Sequence, residues 1–453
     1  MRVGPHIVIV GGGFGGVAVA RRLEQVLEPR AAELTLVSPE NALLFTPLLS
    51  LTAAGVIEPR HAVVPLRRSL RHTALTLGYA TSVDLEARSV EVEHRSGTTQ
   101  SLLWDRLVLA PGSVTRLPDV PGLADRALGV KTLSEAVAVR NHVMEQLELA
   151  EVAPNDEERR RRSTFVVAGA GYAGTEVAAE LHMATSQALQ HYPRLRAHGV
   201  RWLLVQHAPR ILPEIGERLG DAALRTLLRR GVEVRLETRV GEVGPTWIRL
   251  ADGEVVATET LIWTAGVAAQ PWVADLPLPQ DEAGRLEMDA HLAMAGHPHI
   301  FALGDAARVP DPRGPLGAAP PTAAHASGQG KVCADNIAAS LGFGRIRAHR
   351  SHDHCLVVNL GHRHGVGRVL GVQTTGALGW AAVLAHRVAF LPRGHRLRVA
   401  FDWVTRSGQI PDIADLGALG NTDPRAAAEP FTPRQRTPTL DTAVCAQCGA
   451  EPR

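Results

Sequence analysis

The most informative segment of this chain is HIVIVGGGFGGVAVARRLE, residues 6–24. Its apolar start predicts a buried parallel strand, which runs into five glycines within six residues and then into apolar residues at helical spacing. Gly11 permits the tight turn, Gly13 lets backbone approach a pyrophosphate, and Gly16 lets helix and strand pack closely. Because the free N–H groups and the dipole of the helix N-terminus face the phosphates, the stretch predicts a dinucleotide-binding site.

The composition is that of an ordinary globular protein. A length of 453 residues allows two or three domains, and 45% hydrophobic with 21% charged residues is typical of a soluble chain. The net charge of +2, from 48 basic and 46 acidic residues, gives no signal for nucleic-acid binding. The sequence has no signal-peptide pattern and no window of about 18 apolar residues, so we expect neither secretion nor a membrane-spanning helix.

Cysteines and histidines predict neither a disulfide framework nor a metal centre. Four cysteines are too few and too irregularly spaced for a disulfide scaffold, which favours a reducing compartment. Cys445 and Cys448 have the spacing of half a zinc ribbon, but they supply only two of four ligands. Residues 345–371 have the pattern of two strands, so we expect their polar side chains to face solvent without binding metal. These side chains are His349, His352, His354, Cys355, His362 and His364.

After the first helix, the sequence continues a nucleotide-binding fold. ELTLV, residues 33–37, predicts the second strand, whose end normally carries an acid that binds the adenosine ribose. Ser38 stands at that end and Glu40 lies two residues on, so we expect the ribose contact to be shifted or shared. Residues 43–55 predict a core helix that is broken by Pro47.

The next segments predict a return to the cofactor and then a new unit. Short alternating runs up to about residue 105 predict an antiparallel excursion from the parallel sheet. RLVLAPGS, residues 106–113, predicts a strand that ends in a glycine turn. Residues 131–150 have a helical pattern, and residues 154–163 predict a polar, exposed loop or helix end.

A second copy of the opening pattern begins about 158 residues after the first. TFVVAGAGYAGTEVAAEL, residues 164–181, again combines an apolar strand, a glycine turn and a helix. Its glycines are Gly169, Gly171 and Gly174. One such motif can be a plain turn, whereas two are far more specific and predict two separate dinucleotide pockets.

The second unit also predicts which nucleotide it binds. Its strand over residues 202–206 ends at Gln206, the position that contacts the ribose 2′-hydroxyl. An acid there would repel the 2′-phosphate of NADPH, whereas a neutral Gln does not, and Arg210 lies close by in sequence. We therefore predict NADH as the substrate, with weakened discrimination against NADPH.

Three later segments return to the two pockets. TLIWTAGV, residues 260–267, parallels residues 106–113, and HIFALGDAARV, residues 299–309, predicts a strand that ends at a glycine turn before Asp305. The Asp305 carboxylate can accept hydrogen bonds from a polyol chain, and a helix N-cap is a compatible alternative. Residues 320–341 begin with two prolines and predict a helix whose N-terminus offers a positive dipole.

Taken together, these segments resemble a known family. GGGFGG, LLFTPLL, LVLAPGS, GAGYAGTE, LIWTAGV and FALGDAARV occur in the order seen in two-dinucleotide flavoprotein reductases. From residue 5 to about residue 420, the chain looks most like the type II NADH:quinone oxidoreductases, single-chain flavoenzymes that sit on a membrane face. The resemblance implies an α/β fold with two Rossmann-like domains, FAD in the first pocket, NADH in the second, and a quinone as the acceptor.

The resemblance also implies roles for single residues. Asp305 would contact the flavin ribityl chain, Glu176 would lie near nicotinamide and flavin, and residues 320–330 would face the isoalloxazine at the quinone site. The family has a glutamine where this chain has Ala324, whereas Gln329 remains, which leaves the acceptor open. The catalytic candidates are Glu176 and Gln329. The cofactor-binding candidates are Gly11, Gly13, Phe14, Gly15, Gly16, Ser38, Glu40, Val83, Ala110, Gly112, Gly169, Gly171, Gly174, Gln206, Gly266, Gly304, Asp305, Ala324 and His325.

Cysteine positions separate the chain from its relatives. Disulfide reductases need a redox cysteine pair near the flavin, and sulfide:quinone oxidoreductases need cysteines that flank it. No cysteine precedes Cys333, and neither Cys333 nor Cys355 has the expected partner, so we expect no sulfur chemistry. Two alternatives stay open: a soluble reductase of a ferredoxin-like or other acceptor, and a flavin-based redox sensor.

Two amphipathic segments near the C-terminus are candidates for membrane contact. The first face carries Trp380, Val383, Leu384, Val388 and Leu391, and the second carries Leu397, Ala400, Phe401 and Val404. From periodicity alone, an equally good interpretation is a pair of helices that pack on their own domain. Arginine rims, including Arg387, together with Trp403 suit anionic lipid. The resemblance, in which this region is the anchor, favours peripheral binding at the cytoplasmic face of the cell membrane.

The expected organisation has four parts. Residues 1–121 and 296–345 form the FAD-binding domain, and residues 122–295 form the NAD(P)H-binding domain. Residues 346–420 form a C-terminal α+β membrane-association region, and residues 421–453, rich in Pro, Ala and Thr, form a disordered tail. A homodimer is a further candidate assembly.

Overall fold

A computed structural model of the chain describes residues 4–312, 317–350, 355–361, 363–391 and 393–406. The expected tail, the Cys445/Cys448 pair and His352, His354 and His362 lie outside the described residues. Among the described residues, no group of His, Cys, Asp and Glu is arranged to hold a metal ion. Within the same ranges, no helix has the length and apolarity needed to span a bilayer.

The bounds of the elements follow in chain order. The strands are β1 His6–Val10, β2 Glu33–Ser38, β3 Ala42–Leu44, β4 Val63–Pro65, β5 Ala74–Asp84, β6 Ser89–His94, β7 Thr99–Leu103, β8 Arg106–Leu109, β9 Ser113–Thr115, β10 Ala127–Leu128, β11 Thr164–Ala168, β12 Arg201–Val205, β13 Val232–Arg235, β14 Val240–Val243, β15 Trp247–Leu250, β16 Val255–Ala257, β17 Thr260–Trp263, β18 Val267–Ala269, β19 Leu286–Glu287, β20 Ala293–Met294, β21 His297–Ala302, β22 Ala307–Arg308, β23 Cys355–Asn359, β24 Gly365–Val369 and β25 Val372–Thr375. The helices are α1 Phe14–Val26, α2 Leu49–Ala53, α3 Leu66–Ser69, α4 Leu123–Arg126, α5 Leu133–Glu151, α6 Asp156–Arg162, α7 Tyr172–Ala188, α8 Pro193–His198, α9 Glu217–Arg229, α10 Pro271–Ala274, α11 Ala323–Ser340, α12 Gly376–Phe390 and α13 Arg393–Arg406. Single 3₁₀ turns span Thr46–Leu48, Pro59–His61, Leu189–His191, Pro213–Ile215 and Gly304–Ala306.

The first sheet is built on the opening strand. Its eight strands lie in the order β20-β21-β8-β1-β2-β5-β6-β7. Strand β1 pairs in parallel with β2 on one side and β8 on the other, which buries all five of its residues. Strands β5, β6 and β7 pair antiparallel at one edge, so the predicted antiparallel excursion is confirmed.

The second sheet repeats this plan. Strands β10, β17, β11, β12 and β13 are parallel throughout, and β11 is buried along its whole length. Helix α7 follows β11 as α1 follows β1. The prediction of an α/β fold with two Rossmann-like units is therefore confirmed.

Two local predictions differ from the structure. Pro47 does not break a helix: it stands in the first turn of the 3₁₀ segment that leads into α2, where a missing N–H costs little. Residues 154–163 contain the short helix α6, because Asn155 caps it by accepting a hydrogen bond from the Glu158 N–H.

The border between the two units lies earlier than expected. Strand β18 pairs with β9, which carries the chain back to the first unit at residues 267–269. The apolar side chains that follow, from Ala269 to Leu292, pack in the same core as β1 and α1. Most of residues 267–295 therefore belong with the first unit, although we expected them in the second.

The C-terminal region packs two helices against the segment that follows β3. Val383 and Leu391 of the first helix, with Val399 and Trp403 of the second, are buried against Phe45, Leu48 and Leu51. The first predicted apolar face thus points inward, as in the alternative of helices packed on their own domain. Part of the second face points outward, since Leu397 and Phe401 are 78% and 68% exposed.

Candidate functional site

The first glycine turn packs against protein at Gly11 and Gly16 and faces open space at Gly13. Gly11 has φ +116°, and an added Cβ would lie 2.0 Å from the Ala110 carbonyl oxygen. A Cβ on Gly16 would lie 2.0 Å from the Gly11 carbonyl oxygen, so only glycine fits at either position. A Cβ on Gly13 would meet nothing within 4 Å. This opening, at the start of α1, is where the backbone can meet a pyrophosphate.

The second turn has the same construction. Gly169 has φ +99° and packs against the backbone of Thr264 and Ala265, as Gly11 packs against Ala110. A Cβ on Gly174 would lie 1.8 Å from the Gly169 carbonyl oxygen, whereas Gly171 again opens onto free space. The residues present therefore fit a dinucleotide in each unit, and each turn has a second glycine turn beside it. These neighbouring turns contain Gly112, with φ +77°, and Gly266, with φ +96°.

The residues expected at the adenosine ribose of the first site have protein partners. The Ser38 hydroxyl is buried behind Gly12 and donates to the Glu40 carbonyl oxygen at 2.7 Å. The exposed Glu40 carboxylate forms an ion pair with Arg95 at 2.7 Å. A ribose contact from either side chain stays a prediction.

Three further candidates of the first site have apolar neighbours, and their contact with a cofactor stays a prediction. Gly15 lies against Leu303, and Phe14 makes an edge-to-face contact with Phe45 at 5.4 Å between ring centroids. Val83 is six residues beyond Leu77, the β5 partner of Ser38, which is roughly 20 Å of strand. Val83 lies where β5 runs past the end of β2 and pairs with β6, and its contact with a cofactor stays a prediction.

In the second unit, Gln206 supports the glycine turn from behind. Its amide oxygen accepts a hydrogen bond from the Ala170 N–H at 3.1 Å, and its amide nitrogen donates to the Arg210 carbonyl at 3.3 Å. The side chain is 5% exposed. The Arg210 side chain pairs with Glu217 at 2.7 Å, so it is drawn towards a carboxylate. Contact of Gln206 with a 2′-hydroxyl stays a prediction.

The turn at Gly304 and Asp305 carries polar groups from three parts of the chain. The Gly304 N–H donates to the Gln329 amide oxygen at 2.8 Å, and Gln329 is 2% exposed. This hydrogen bond holds the turn, and the catalytic role expected of Gln329 at the acceptor stays a prediction. The Asp305 carboxylate accepts from the Ser113 hydroxyl at 2.6 Å, and the Lys131 ammonium lies 3.5 Å away.

Sequence reasoning missed Ser113 and Lys131. Ser113 was visible as the last residue of RLVLAPGS, but its partner stands 192 residues later. The signal for Lys131 was compositional: it is one of two lysines among 48 basic residues. Asp305 is not the N-cap of its 3₁₀ turn, since Leu303 holds that position.

The helix that follows the prolines begins where predicted. Thr322 caps α11 by accepting from the His325 N–H, and its hydroxyl also contacts His325 Nδ1 at 2.7 Å. His325 is buried, and Ala324 is half-buried in the first turn. The first turn of α11 lies beside the Gly304–Asp305 turn, because a Cβ on Gly304 would lie 3.3 Å from the Ala326 Cβ.

Glu176 lies in a buried polar network that reaches the C-terminal helices. One carboxylate oxygen accepts from the Asn359 N–H at 2.8 Å, and the other accepts from the Ser50 hydroxyl at 3.0 Å. Arg387 of α12 donates to both oxygens, at 2.6 and 2.7 Å. Arg387 is 3% exposed and its guanidinium stands 5.9 Å from the centre of the Trp403 ring. We expected Arg387 and Trp403 at a membrane-facing rim, but Glu176 draws the arginine inward and Trp403 packs beside it.

One turn further along α7, Glu180 completes this network. Its carboxylate accepts from the Asn359 amide at 2.5 Å and is 1% exposed. Burial is the main cause that raises the pKa of Glu180 to about 7, and Arg387 opposes the shift. A raised acid pKa means that the folded state binds the proton more tightly. Glu180 therefore favours the fold below about pH 4.5, and this contribution is lost as the pH rises through 7.

Comparison with known proteins places this geometry among flavoprotein reductases. The family model described as pyridine nucleotide-disulphide oxidoreductase matches residues 5–330. The chain is 32% identical to demethylphylloquinone reductase NdbB of Synechocystis, over 89% of this chain and 96% of the relative. It is 30% identical to type II NADH:quinone oxidoreductase NdhA of Mycobacterium tuberculosis, over 88% and 86%. The solved structure of NDH2 from Plasmodium falciparum in complex with NADH has a similar fold, with a TM-score of 0.83, 16% identity and coverage of 90% and 99%.

The glycines of the first turn allow a matched test. Gly13→Val should abolish cofactor retention, because its side chain fills the open space, and should leave the thermal unfolding midpoint near that of the native protein stripped of its cofactor. Gly16→Val should lower the stability by about 1–3 kcal/mol or more, because its side chain meets the Gly11 carbonyl. Thermal unfolding and absorbance of the retained cofactor measure both effects. Full cofactor retention in Gly13→Val would contradict the assignment.

The network around Glu176 predicts a large cost for removing its arginine. Arg387→Met leaves a buried carboxylate without its cation, so we expect a loss of about 3–5 kcal/mol in the docking of α12 and α13. Limited proteolysis of the C-terminal helices and denaturant unfolding measure this loss. Arg398→Met, at an exposed position of α13, is the control and should change stability by less than about 0.5 kcal/mol. Equal behaviour of the two variants would refute the role of Arg387.

Proposed function

The chain belongs to the pyridine nucleotide-disulphide oxidoreductases and, within them, to the type II NADH:quinone oxidoreductases. From this premise we propose that it oxidises NADH through a bound FAD and passes the electrons to a quinone without pumping protons. The observation that carries the proposal is the pair of glycine turns, each of which packs against protein on one side and faces open space at Gly13 or Gly171. One turn would hold the flavin nucleotide and the other the nicotinamide nucleotide.

The family implies a flavin, and the first turn supports FAD in particular. FAD contains a pyrophosphate linked to adenosine, whereas FMN does not, and the space in front of Gly13 suits backbone contact with a pyrophosphate. Asp305 would accept hydrogen bonds from the ribityl hydroxyls, and Ser113 and Gln329 hold that turn. When bound, a flavin accepts hydride from nicotinamide and passes electrons to an acceptor.

The chain itself contributes binding and orientation. The N-termini of α1 and α7 would offer free N–H groups to the two pyrophosphates, since no N-cap side chain binds either first turn. The N-terminus of α11 supplies a positive dipole beside the Gly304–Asp305 turn, which would favour negative charge on a reduced cofactor. Glu176, in the first turns of α7, binds Ser50, Asn359 and Arg387, and we propose that it would act near the nicotinamide from this fixed position.

For the nicotinamide nucleotide we propose NADH, with NADPH as a weaker substrate. Gln206 carries no charge that would repel a 2′-phosphate, and its amide is occupied by backbone groups. Arg210 would have to leave Glu217 before it could bind that phosphate. The two observations together suggest a preference for NADH that is modest rather than absolute.

The outer face of the C-terminal helices is the proposed contact with the membrane, which contains the quinone acceptor. Leu378, Leu397 and Phe401 are each more than two-thirds exposed, and Arg398 is exposed between the last two. Apolar side chains flanked by arginine suit the surface of an anionic bilayer, in which quinones are dissolved. We therefore propose peripheral binding at the cytoplasmic face of the membrane. Because Ala324 replaces the family's glutamine, the proposal does not specify which quinone accepts the electrons. The homodimer stays a prediction.

One assay tests the proposed reaction. The purified protein should release FAD on denaturation and should oxidise NADH only when a short-chain quinone is present. NADPH should support the same reaction at a lower rate, within about two orders of magnitude, because Gln206 does not exclude it. Absence of any quinone-dependent rate would overturn the proposal.

The same assay distinguishes the two alternatives. A soluble reductase would transfer electrons to a ferredoxin-like protein or a dye, but not to quinones. A redox sensor would bind NADH and change its spectrum with negligible turnover.

The outer face of α13 yields a separate test. The double variant Leu397→Glu with Phe401→Glu should weaken sedimentation with anionic liposomes by about tenfold or more, because it replaces two exposed apolar side chains by acids. Its rate with a water-soluble quinone should equal that of the native protein. Leu228→Glu, at a half-exposed leucine of α9, is the control and should bind liposomes normally. Unchanged liposome binding of the double variant would disprove membrane contact through α13.

A further inference from the structure

Lys131 is held in place by a buried carboxylate at the start of α5. Its backbone N–H donates to Glu135 at 2.5 Å, and the N–H of Thr132 donates to the same oxygen at 2.8 Å. Thr132 and Glu135 form a complete capping box, and Glu135 is 3% exposed. The capping box of α5 therefore fixes the backbone of Lys131, from which the side chain extends.

From there the side chain reaches from the second unit into the first. The Lys131 ammonium donates to the Ser113 hydroxyl at 2.6 Å and lies 3.5 Å from the Asp305 carboxylate. Ser113 in turn donates to that carboxylate at 2.6 Å. A lysine, a serine and an aspartate from three distant parts of the sequence thus meet at one turn.

The residue type at position 131 is informative. The chain has 48 basic residues, and 46 of them are arginine, so a lysine runs against a strong compositional bias. An ammonium is a compact charge with three donors, whereas a guanidinium is a wide planar fork. A compact cation can approach both a hydroxyl and a carboxylate at one turn and still keep a donor for a third group.

We propose that Lys131 is a positioning residue of the flavin site, which orients Ser113 and Asp305 and supplies a positive charge from the nicotinamide-binding unit. This inference rests on the proposed function. Asp305 is an anion at the place where a flavin that gains electrons would bind, and two negative charges repel each other. The ammonium offsets the Asp305 charge, so the carboxylate can accept hydrogen bonds from the ribityl hydroxyls without opposing reduction.

Substitution of the two lysines provides a matched test on the holoprotein. Lys131→Met should lose FAD roughly tenfold more readily on dilution, because a charge-assisted contact to the binding turn is removed. Its flavin midpoint potential should shift to more negative values, because the reduced flavin loses a neighbouring cation. Lys131→Arg keeps the charge and should retain most of the native potential. Lys331→Met, at an exposed position of α11, should match the native protein in both measurements.

Lysine-directed labelling tests the same contact without a variant. Reductive methylation of the native protein with and without its flavin, followed by mass spectrometry, compares Lys131 with Lys331. The flavin should lower labelling of Lys131 several-fold and leave Lys331 unchanged. This measurement decides the question if Lys131→Met does not fold.

The outcomes separate this inference from the proposed function. A native potential and native FAD retention in Lys131→Met would overturn the role of Lys131, whatever the acceptor is. Equal labelling of Lys131 with and without flavin would overturn it as well. A native protein that binds FAD but reduces no quinone would overturn the proposed function alone.

Discussion

Close contact between two glycines in each unit is the constraint on which the structure depends. Gly16 approaches the Gly11 carbonyl, and Gly174 approaches the Gly169 carbonyl, at distances that no Cβ tolerates. This contact seats each helix tightly on its strand and turns the helix N-terminus towards the open glycine, Gly13 or Gly171. Everything that the site needs for phosphate binding follows from that geometry, because free N–H groups and the helix dipole then point at the same place.

A second constraint joins the nucleotide-binding units to the C-terminal region. Glu176 is buried with Ser50, Asn359 and Arg387, and an ionised carboxylate at such a place needs several donors. On the other helix of the C-terminal pair, Asp402 pairs with His61 at 2.5 Å. The two contacts hold α12 and α13 to separate parts of the chain. The outer face of α13, with Leu397 and Phe401, is thereby presented in a defined orientation.

The corrections to the sequence-based expectations have a common physical origin. Gln329 and Gln206 were predicted to lie at ligand sites, and each side chain is buried and hydrogen-bonded to the backbone of a glycine turn, which motif position did not predict. Arg387 has the spacing of a surface arginine, yet a carboxylate 211 residues away draws it inward. Periodicity and motif position predict which residues lie near a site. They do not predict whether a polar side chain turns towards the ligand or supports the turn from behind.

Sequence patterns are enough to predict the two strand–turn–helix units, their order, the strand ends that return to each pocket and the family to which the chain belongs. These features are local, since glycine spacing and apolar runs act within about twenty residues. Three other features become visible only in the folded chain: residues 269–292 pack on the first core, Glu176 binds Arg387, and Lys131 reaches Asp305. Such contacts join residues more than a hundred positions apart. Burial selects their partners through charge and hydrogen bonding, and no local pattern records that choice.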